Sequence, residues 1–312
     1  MSLDNSLSHT RIHAIRWSLA TAIFLSILKL SVGMYTDSMA ILALAVDSFG
    51  DVISSLFNYF FLSKAQEPAD AEHHYGHGKF ENFASFIQGF ILAGTAGVVI
   101  YRAILKLMEP MPLFHVELGM VVVVLSFALS FVVGRYVQRI AVSSHSQLLE
   151  VEAQHLLMDS YLYLIVLLSL LFSKVGFFYV DPIGSLLVAF FIVRMSGKII
   201  KSSFDVLTDR ALTEEENEQI RTIIRDHSPT ILGYDRLKTR RSGPTKHIIF
   251  RVFICRKMTL GQAHEVVDHI EKEIASKISE SEVVIHPEPT KEDCSKHQHI
   301  LDPRHFVGDP KI

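Results

Sequence analysis

Apolar runs long enough to cross a bilayer dominate this chain. Six recur, at residues 15–34, 39–63, 83–107, 116–136, 156–172 and 183–200, each near the ~20 residues a helix needs to span the hydrocarbon core. Lipid offers no partner to a backbone N–H or C=O, so such runs fold as helices that satisfy their own hydrogen bonds. The sequence therefore predicts a polytopic α-helical membrane protein with six transmembrane helices over residues 1–208, and lipid as its first partner. A composition that is 49% hydrophobic fits no ordinary soluble protein of this length. Residues 1–12 are polar and lead into a run of spanning length, so no cleavable signal peptide is expected. An even number of spans puts both termini on one side. Arg11, Arg16, Lys64, Lys79, Arg135, Arg139, Arg194, Lys198 and Lys201 border the spans on that side, and the positive-inside rule makes it the cytoplasm. Arg102 and Lys106 run against this bias. The expected location is the cell membrane.

Two of these runs carry ionisable groups at spacing four: Asp47-x-x-x-Asp51 and His155-x-x-x-Asp159. On a helix that spacing stacks both side chains on one face, roughly 6 Å apart along the axis. An ionisable group at membrane depth costs about 2.5–3.5 kcal/mol on insertion scales and marks an ion or substrate path. Three carboxylates and one imidazole make a tetrahedral set for a divalent metal. One His with three Asp suits Zn²⁺ and Cd²⁺ and tolerates Fe²⁺ and Co²⁺, whereas an all-oxygen set leans towards Mn²⁺ or Mg²⁺. Lys29, also inside a span, either snorkels or pairs with a carboxylate. Gly89, Ala93, Gly94 and Gly97 give the third span a smooth face for close helix packing.

The loop after the second span gathers Asp70, His73 and His77 at spacings of three and four, with Gly76 and Gly78 free to turn the backbone. It is a second candidate metal site, on the cytoplasmic side. Beyond residue 208 the pattern becomes polar. Thr213-Glu-Glu-Glu216 caps a helix, 236–241 and 248–255 read as strands around Ser242-Gly-Pro244, 261–278 is helical and 282–286 is a strand. This order predicts a C-terminal α+β ferredoxin-like domain over 209–290. Residues 291–312 read as a polar, mobile tail, in which Cys294, His297, His299 and His305 could hold soft metals weakly. Two cysteines, Cys255 and Cys294, suggest no disulfide framework. A net charge of −3 gives no basic field for nucleic acid.

These motifs together resemble the cation diffusion facilitator family, in particular its bacterial zinc- and iron-exporting members. The resemblance rests on the six spans, the two spaced pairs, Tyr-Gly-His77-Gly-Lys79, Leu207-Thr-Asp209-Arg-Ala-Leu and Ser242-Gly-Pro-Thr. It implies an inner-membrane homodimer whose cytoplasmic domain is metallochaperone-like. It also implies that Asp47, Asp51, His155 and Asp159 form the transport site, that Asp70, His73 and His77 form the loop site, and that Lys79 and Asp209 form a charge pair joining the membrane and soluble parts. In the soluble domain His264, His286 and Glu288 stand where bridging zinc ligands are expected. Tyr234 and Arg251 stand where that pattern often has His, so at most one metal is expected there, or a site completed by the tail residues.

The function expected is exchange of a cytoplasmic divalent cation for protons by alternating access, with Zn²⁺ as cargo, Cd²⁺, Fe²⁺ and Co²⁺ as further candidates, and a regulatory Zn²⁺ in the soluble domain. No Walker A motif supports ATP-driven transport, no His-Glu-x-x-His motif supports a metalloenzyme, and no organic cofactor is expected. The alternative is a membrane sensor or scaffold that binds metal without moving it.

Overall fold

The computed structural model describes residues 2–36, 39–108, 116–173, 179–227 and 230–290. The 291–312 tail, with Cys294, His297, His299 and His305, lies outside them. The chain divides into two compact units, Met1–Phe204 and Asp205–Ile312.

The first unit is built from six helices: α1 (Ser2–Thr36), α2 (Met39–Ala65), α3 (Lys79–Met108), α4 (Val116–Ser143), α5 (Gln147–Ser173) and α6 (Val180–Leu207). Among the described residues, five segments are long and apolar enough to cross a membrane: His9–Tyr35, Lys79–Met108, Gly119–Ser143, Gln147–Leu168 and Pro182–Leu207. The remaining helix, α2, has 27 residues and carries both Asp47 and Asp51. Large side chains such as Trp17, Phe24, Ile27, Phe90, Val132 and Phe190 face outward, as a lipid-exposed surface requires. The inward faces mix aliphatic side chains such as Ile15, Leu62, Leu92 and Leu148 with small and polar ones. A Cβ on Gly134 of α4 would sit 3.1 Å from Leu156 of α5, and one on Gly89 of α3 would sit 2.6 Å from Ile200 of α6. Close helix approach therefore accounts for Gly89. Gly94 and Gly97 have nothing within 4 Å, so they make no such approach among the described residues.

The polar side chains of this bundle tie it together. Glu81 of α3 accepts from Ser146 Oγ at 2.6 Å and from the backbone N–H of Leu148 at 3.1 Å, satisfying orphan donors at the N-terminus of α5. Arg11 of α1 donates to the Ser144 carbonyl at 2.6 Å in the turn between α4 and α5. These bonds fix the depth of α5, and α5 carries His155 and Asp159.

The second unit is α7 (Glu214–Asp226), β1 (Gly233–Ser242), β2 (Thr245–Ile254), α8 (Leu260–Lys277) and β3 (Ser281–Pro289). Thr213 with Glu216, and Thr259 with Gln262, form capping boxes that start the two helices. The sheet order is β1-β2-β3, with β1 antiparallel and β3 parallel to β2. Ile220, Ile224, Ile248, Phe250, Val252, Ile270 and Ile274 fill the core between helices and sheet. Tyr234 joins that core, 2% exposed. Gly243, with φ +57, makes the tight β1–β2 turn.

Candidate metal centre

The loop after α2 is already folded as a ligand cradle. Asp70 Oδ1 accepts the backbone N–H groups of Glu72 at 2.9 Å and His73 at 2.6 Å. Those two bonds hold its carboxyl below the usual carboxylate range. His77, 2% exposed, donates from Nδ1 to the Pro68 carbonyl at 3.2 Å, which leaves Nε2 a lone pair. That Nε2 lies 3.4 Å from Asp70 Oδ2, and His73 Nδ1 lies 3.4 Å from Asp70 Oδ1. Two ligand atoms at tetrahedral positions around an ion ~2.1 Å away are about 3.4 Å apart. The turn needs Gly76 at φ +72, where a side chain would be strained.

In the membrane unit, His155 Nε2 is 3.5 Å from Asp51 Oδ1 and 3.6 Å from Asp159 Oδ2, again the edge length of a tetrahedral site. Ligand atoms of all three residues fall within 4.8 Å of one another. They border a small enclosed cavity of about 10 Å³ between α1, α2, α4 and α5, room for a single water-sized occupant. Asp47, the fourth expected member, stands apart from this cluster. One turn along α2 from Asp51, its carboxylate accepts from Arg102 of α3 at 2.8 Å. An ion pair with a residue 55 positions away is invisible in local spacing. Lys29, 1% exposed, donates to Ser48 Oγ and Tyr163 Oη, each at 2.6 Å. It is buried beside the site and does not snorkel.

A further buried carboxylate was missed by spacing alone. Glu152 of α5, fully buried, accepts from Ser55 Oγ and Asn58 Nδ2 of α2 at 2.6 Å each, and from Ser18 Oγ of α1. It lies one turn before His155, so a chain of polar groups continues along α5 from the metal cluster. The signal was a Glu three residues before a His in an apolar run, but its donors come from two other helices.

The soluble ligands are arranged otherwise than expected. Asp235, Arg251 and His286 face one another across the three strands. Arg251 donates to both Asp235 oxygens, at 2.7 and 2.5 Å, and lies 3.5 Å from Glu288. Its guanidinium occupies the anionic corner that a metal would need and holds the Asp235 carboxyl below its ordinary range. His286 reaches Glu288 at 3.6 Å, while His264 is exposed on α8 and forms no three-ligand group with them within one chain. The described residues of this unit hold a different cluster, His227, His269 and Glu273, contributed by the end of α7 and one face of α8. Of the expected charge pair, Lys79 opens α3 in the first unit, while Asp209 belongs to the second and meets Arg240 there at 3.3 Å.

A buried nitrogen-and-oxygen ligand set among bilayer-length helices, joined to a small α/β unit, is the equipment of a membrane cation carrier. The chain belongs to the cation efflux, or cation diffusion facilitator, family: the cation efflux transmembrane domain matches residues 15–208 and the cation efflux protein cytoplasmic domain matches residues 212–290. Similar curated proteins include the cation-efflux pump FieF of Shewanella oneidensis, 31% identical over 276 residues, 88% of this chain and 93% of that one. FieF of Klebsiella pneumoniae is 31% identical over 87% of this chain and 90% of its own. A solved structure described as the Zn form of the zinc transporter CzrB is 31% identical over 27% of this chain and 96% of its own, with a TM-score of 0.25. The chain is thus a multi-pass inner-membrane cation-efflux transporter with a cytoplasmic domain, and its substrates are metal ions.

Proposed function

We propose that the chain exports Zn²⁺ from the cytoplasm in exchange for protons, with Cd²⁺, Fe²⁺ and Co²⁺ as further cargo, through alternating exposure of a site made by Asp47, Asp51, His155 and Asp159. The observation that carries this reading is the tetrahedral spacing of Asp51, His155 and Asp159 around a single-occupant cavity. A metal there requires ionised carboxylates and a neutral imidazole, so loading releases protons and protonation releases metal. His155 has the side chain best suited to that exchange near neutral pH. Asp47 completes the set by leaving Arg102 and turning towards Asp51, one turn away on the same helix. The Arg102 pair then belongs to the unloaded state.

Length supports a membrane-crossing role for α2 beside the five apolar segments, giving six spans with both termini in the cytoplasm. The α-β-β-α-β order of the second unit fits a ferredoxin-like domain without its first strand, and we assign that domain to homodimer contact. The loop cradle of Asp70, His73 and His77 receives metal on the cytoplasmic side. A membrane sensor would bind metal at these sites and move none.

A competition flux assay in reconstituted vesicles tests the assignment. The parent protein should carry Zn²⁺ and Cd²⁺ in preference to Mn²⁺, and His155→Asp, with an all-oxygen site, should lose roughly tenfold of that discrimination. Selectivity that survives the substitution would show that the imidazole does not set it.

A further inference from the structure

We propose that His227, His269 and Glu273 form a zinc-binding site on the soluble unit that clamps the end of α7 to the face of α8. It is distinct from the transport and loop sites and from the expected His264, His286 and Glu288 set. Three features carry it. The His227 Nε2 stands 3.2 Å from Glu273 Oε2, the His269 Nε2 stands 4.0 Å from the same oxygen, and ligand atoms of all three residues lie within 4.8 Å of one another. The His227 Nδ1 donates to the Ile223 carbonyl at 2.8 Å. That bond fixes the tautomer that aims the Nε2 lone pair at the carboxylate, and a carbonyl holding the far nitrogen is the usual outer support of a metal-bound histidine. Two acceptors facing each other at 3.2 Å need a proton or a cation between them.

Glu273 is prepared for the same role. Lys277 donates to its Oε1 at 2.6 Å, which holds the carboxyl below its ordinary value and leaves Oε2 to the two imidazoles. His269 and Glu273 are one turn apart on α8 and share a face. His227 follows α7 as its C-cap, on a backbone already bonded to Ile224 and Arg225 carbonyls. The exposed His269 ring is the member that moves to close the triangle. Two nitrogens and one carboxylate oxygen are a zinc set with a fourth position left for solvent or another ligand. That position opens on a groove of about 700 Å³ that Asp226 and Glu265 also line, so the approach is anionic and favours a cation. With Arg251 filling the corner at Asp235 and Glu288, this cluster is where the described residues of the soluble unit can respond to cytoplasmic zinc.

The test uses the full-length protein in detergent, stripped with chelator and reloaded with Zn²⁺ alone, with bound zinc counted by elemental analysis and titration calorimetry. His269 is exposed, with a side chain 71% accessible, so His269→Ala leaves the fold intact; Glu273→Gln keeps the shape and removes the charge. Each should lose one zinc equivalent per chain while vesicle zinc flux at saturating metal is retained. Asp51→Ala should lose a different equivalent and the flux, leaving this one. Unchanged zinc content in either His269→Ala or Glu273→Gln overturns the site, whatever Asp51→Ala does to transport.

Discussion

The membrane cluster and the cluster on the soluble unit use nearly the same parts in opposite surroundings. Both combine imidazole and carboxylate, two Asp with one His in the membrane and two His with one Glu on the soluble unit, and each has one pair at spacing four on a helix: His155 with Asp159, and His269 with Glu273. In the membrane, Asp51, His155 and Asp159 are enclosed between helices, with an ammonium, a phenol and serine hydroxyls around them. Uncompensated charge is costly there, so metal and protons must substitute for each other and helix positions must answer to which is bound. On α7 and α8, water screens the same chemistry, so metal there can clamp two helices without a proton having to take its place when it leaves. The geometry of ligands describes what can bind, while burial decides whether binding is coupled to anything else.

The sharpest way to break this contrast is to remove one ligand from each cluster. Asp51→Ala should lower vesicle zinc flux by more than about 100-fold, since even outer-support losses cost 10–100-fold in metal affinity or activity, whereas His269→Ala should leave flux within about twofold. Equal losses in transport would mean that the soluble cluster is coupled after all.

Next in size is Glu152. Removing its carboxylate strands Ser18, Ser55 and Asn58 as buried donors, and each unsatisfied group costs about 1–3 kcal/mol. Glu152→Ala should therefore destabilise the detergent-solubilised protein by about 3 kcal/mol, read as a lower midpoint of thermal unfolding, while Glu152→Gln loses less. A midpoint for Glu152→Ala equal to the parent's would remove Glu152 from the polar framework described here.

The smallest expected effect concerns protons outside the membrane. Burial pushes the His247 imidazole below its ordinary value near 6.5, and Arg240 adds to the push. A group depressed in the folded state contributes stability above its unfolded value, and that contribution is lost as pH falls below it. Thermal unfolding of the soluble unit, followed in the whole protein from pH 7 to pH 5, should show a falling midpoint, with a shallower fall in His247→Gln. Identical slopes would assign the acid sensitivity elsewhere. Proton effects in this unit then act on stability, and in the membrane unit on transport.

What could be read in the chain beforehand follows the same division. Asp51, His155 and Asp159 were legible because helical spacing and an apolar setting are local properties. The loop cradle was legible for the same reason, with Gly76 marking its turn. Helical spacing puts Asp47 with them, but its partner is Arg102, 55 residues on, and charge pairing across helices leaves no trace in spacing. Local spacing does not single out Glu152, because its three donors come from α1 and α2. The soluble helices and strands followed from Thr213, Thr259 and the Ser242-Gly-Pro turn, with ends shifted by only a few residues. The cluster of His227, His269 and Glu273 was hidden because its parts are spread over two elements that only packing brings together. Tyr234 and Arg251 did signal that the expected soluble site was altered; the structure supplies the cause, one side chain in the core and the other neutralising Asp235 and Glu288.

The central claim, that one buried site alternately carries a metal ion or protons, is tested most directly in sealed vesicles with a pH-sensitive dye inside and an imposed zinc gradient. Proton movement opposite to zinc is expected, saturating with zinc and absent in Asp51→Ala. Zinc movement with no opposing proton flux, or exchange that persists in Asp51→Ala, would contradict it.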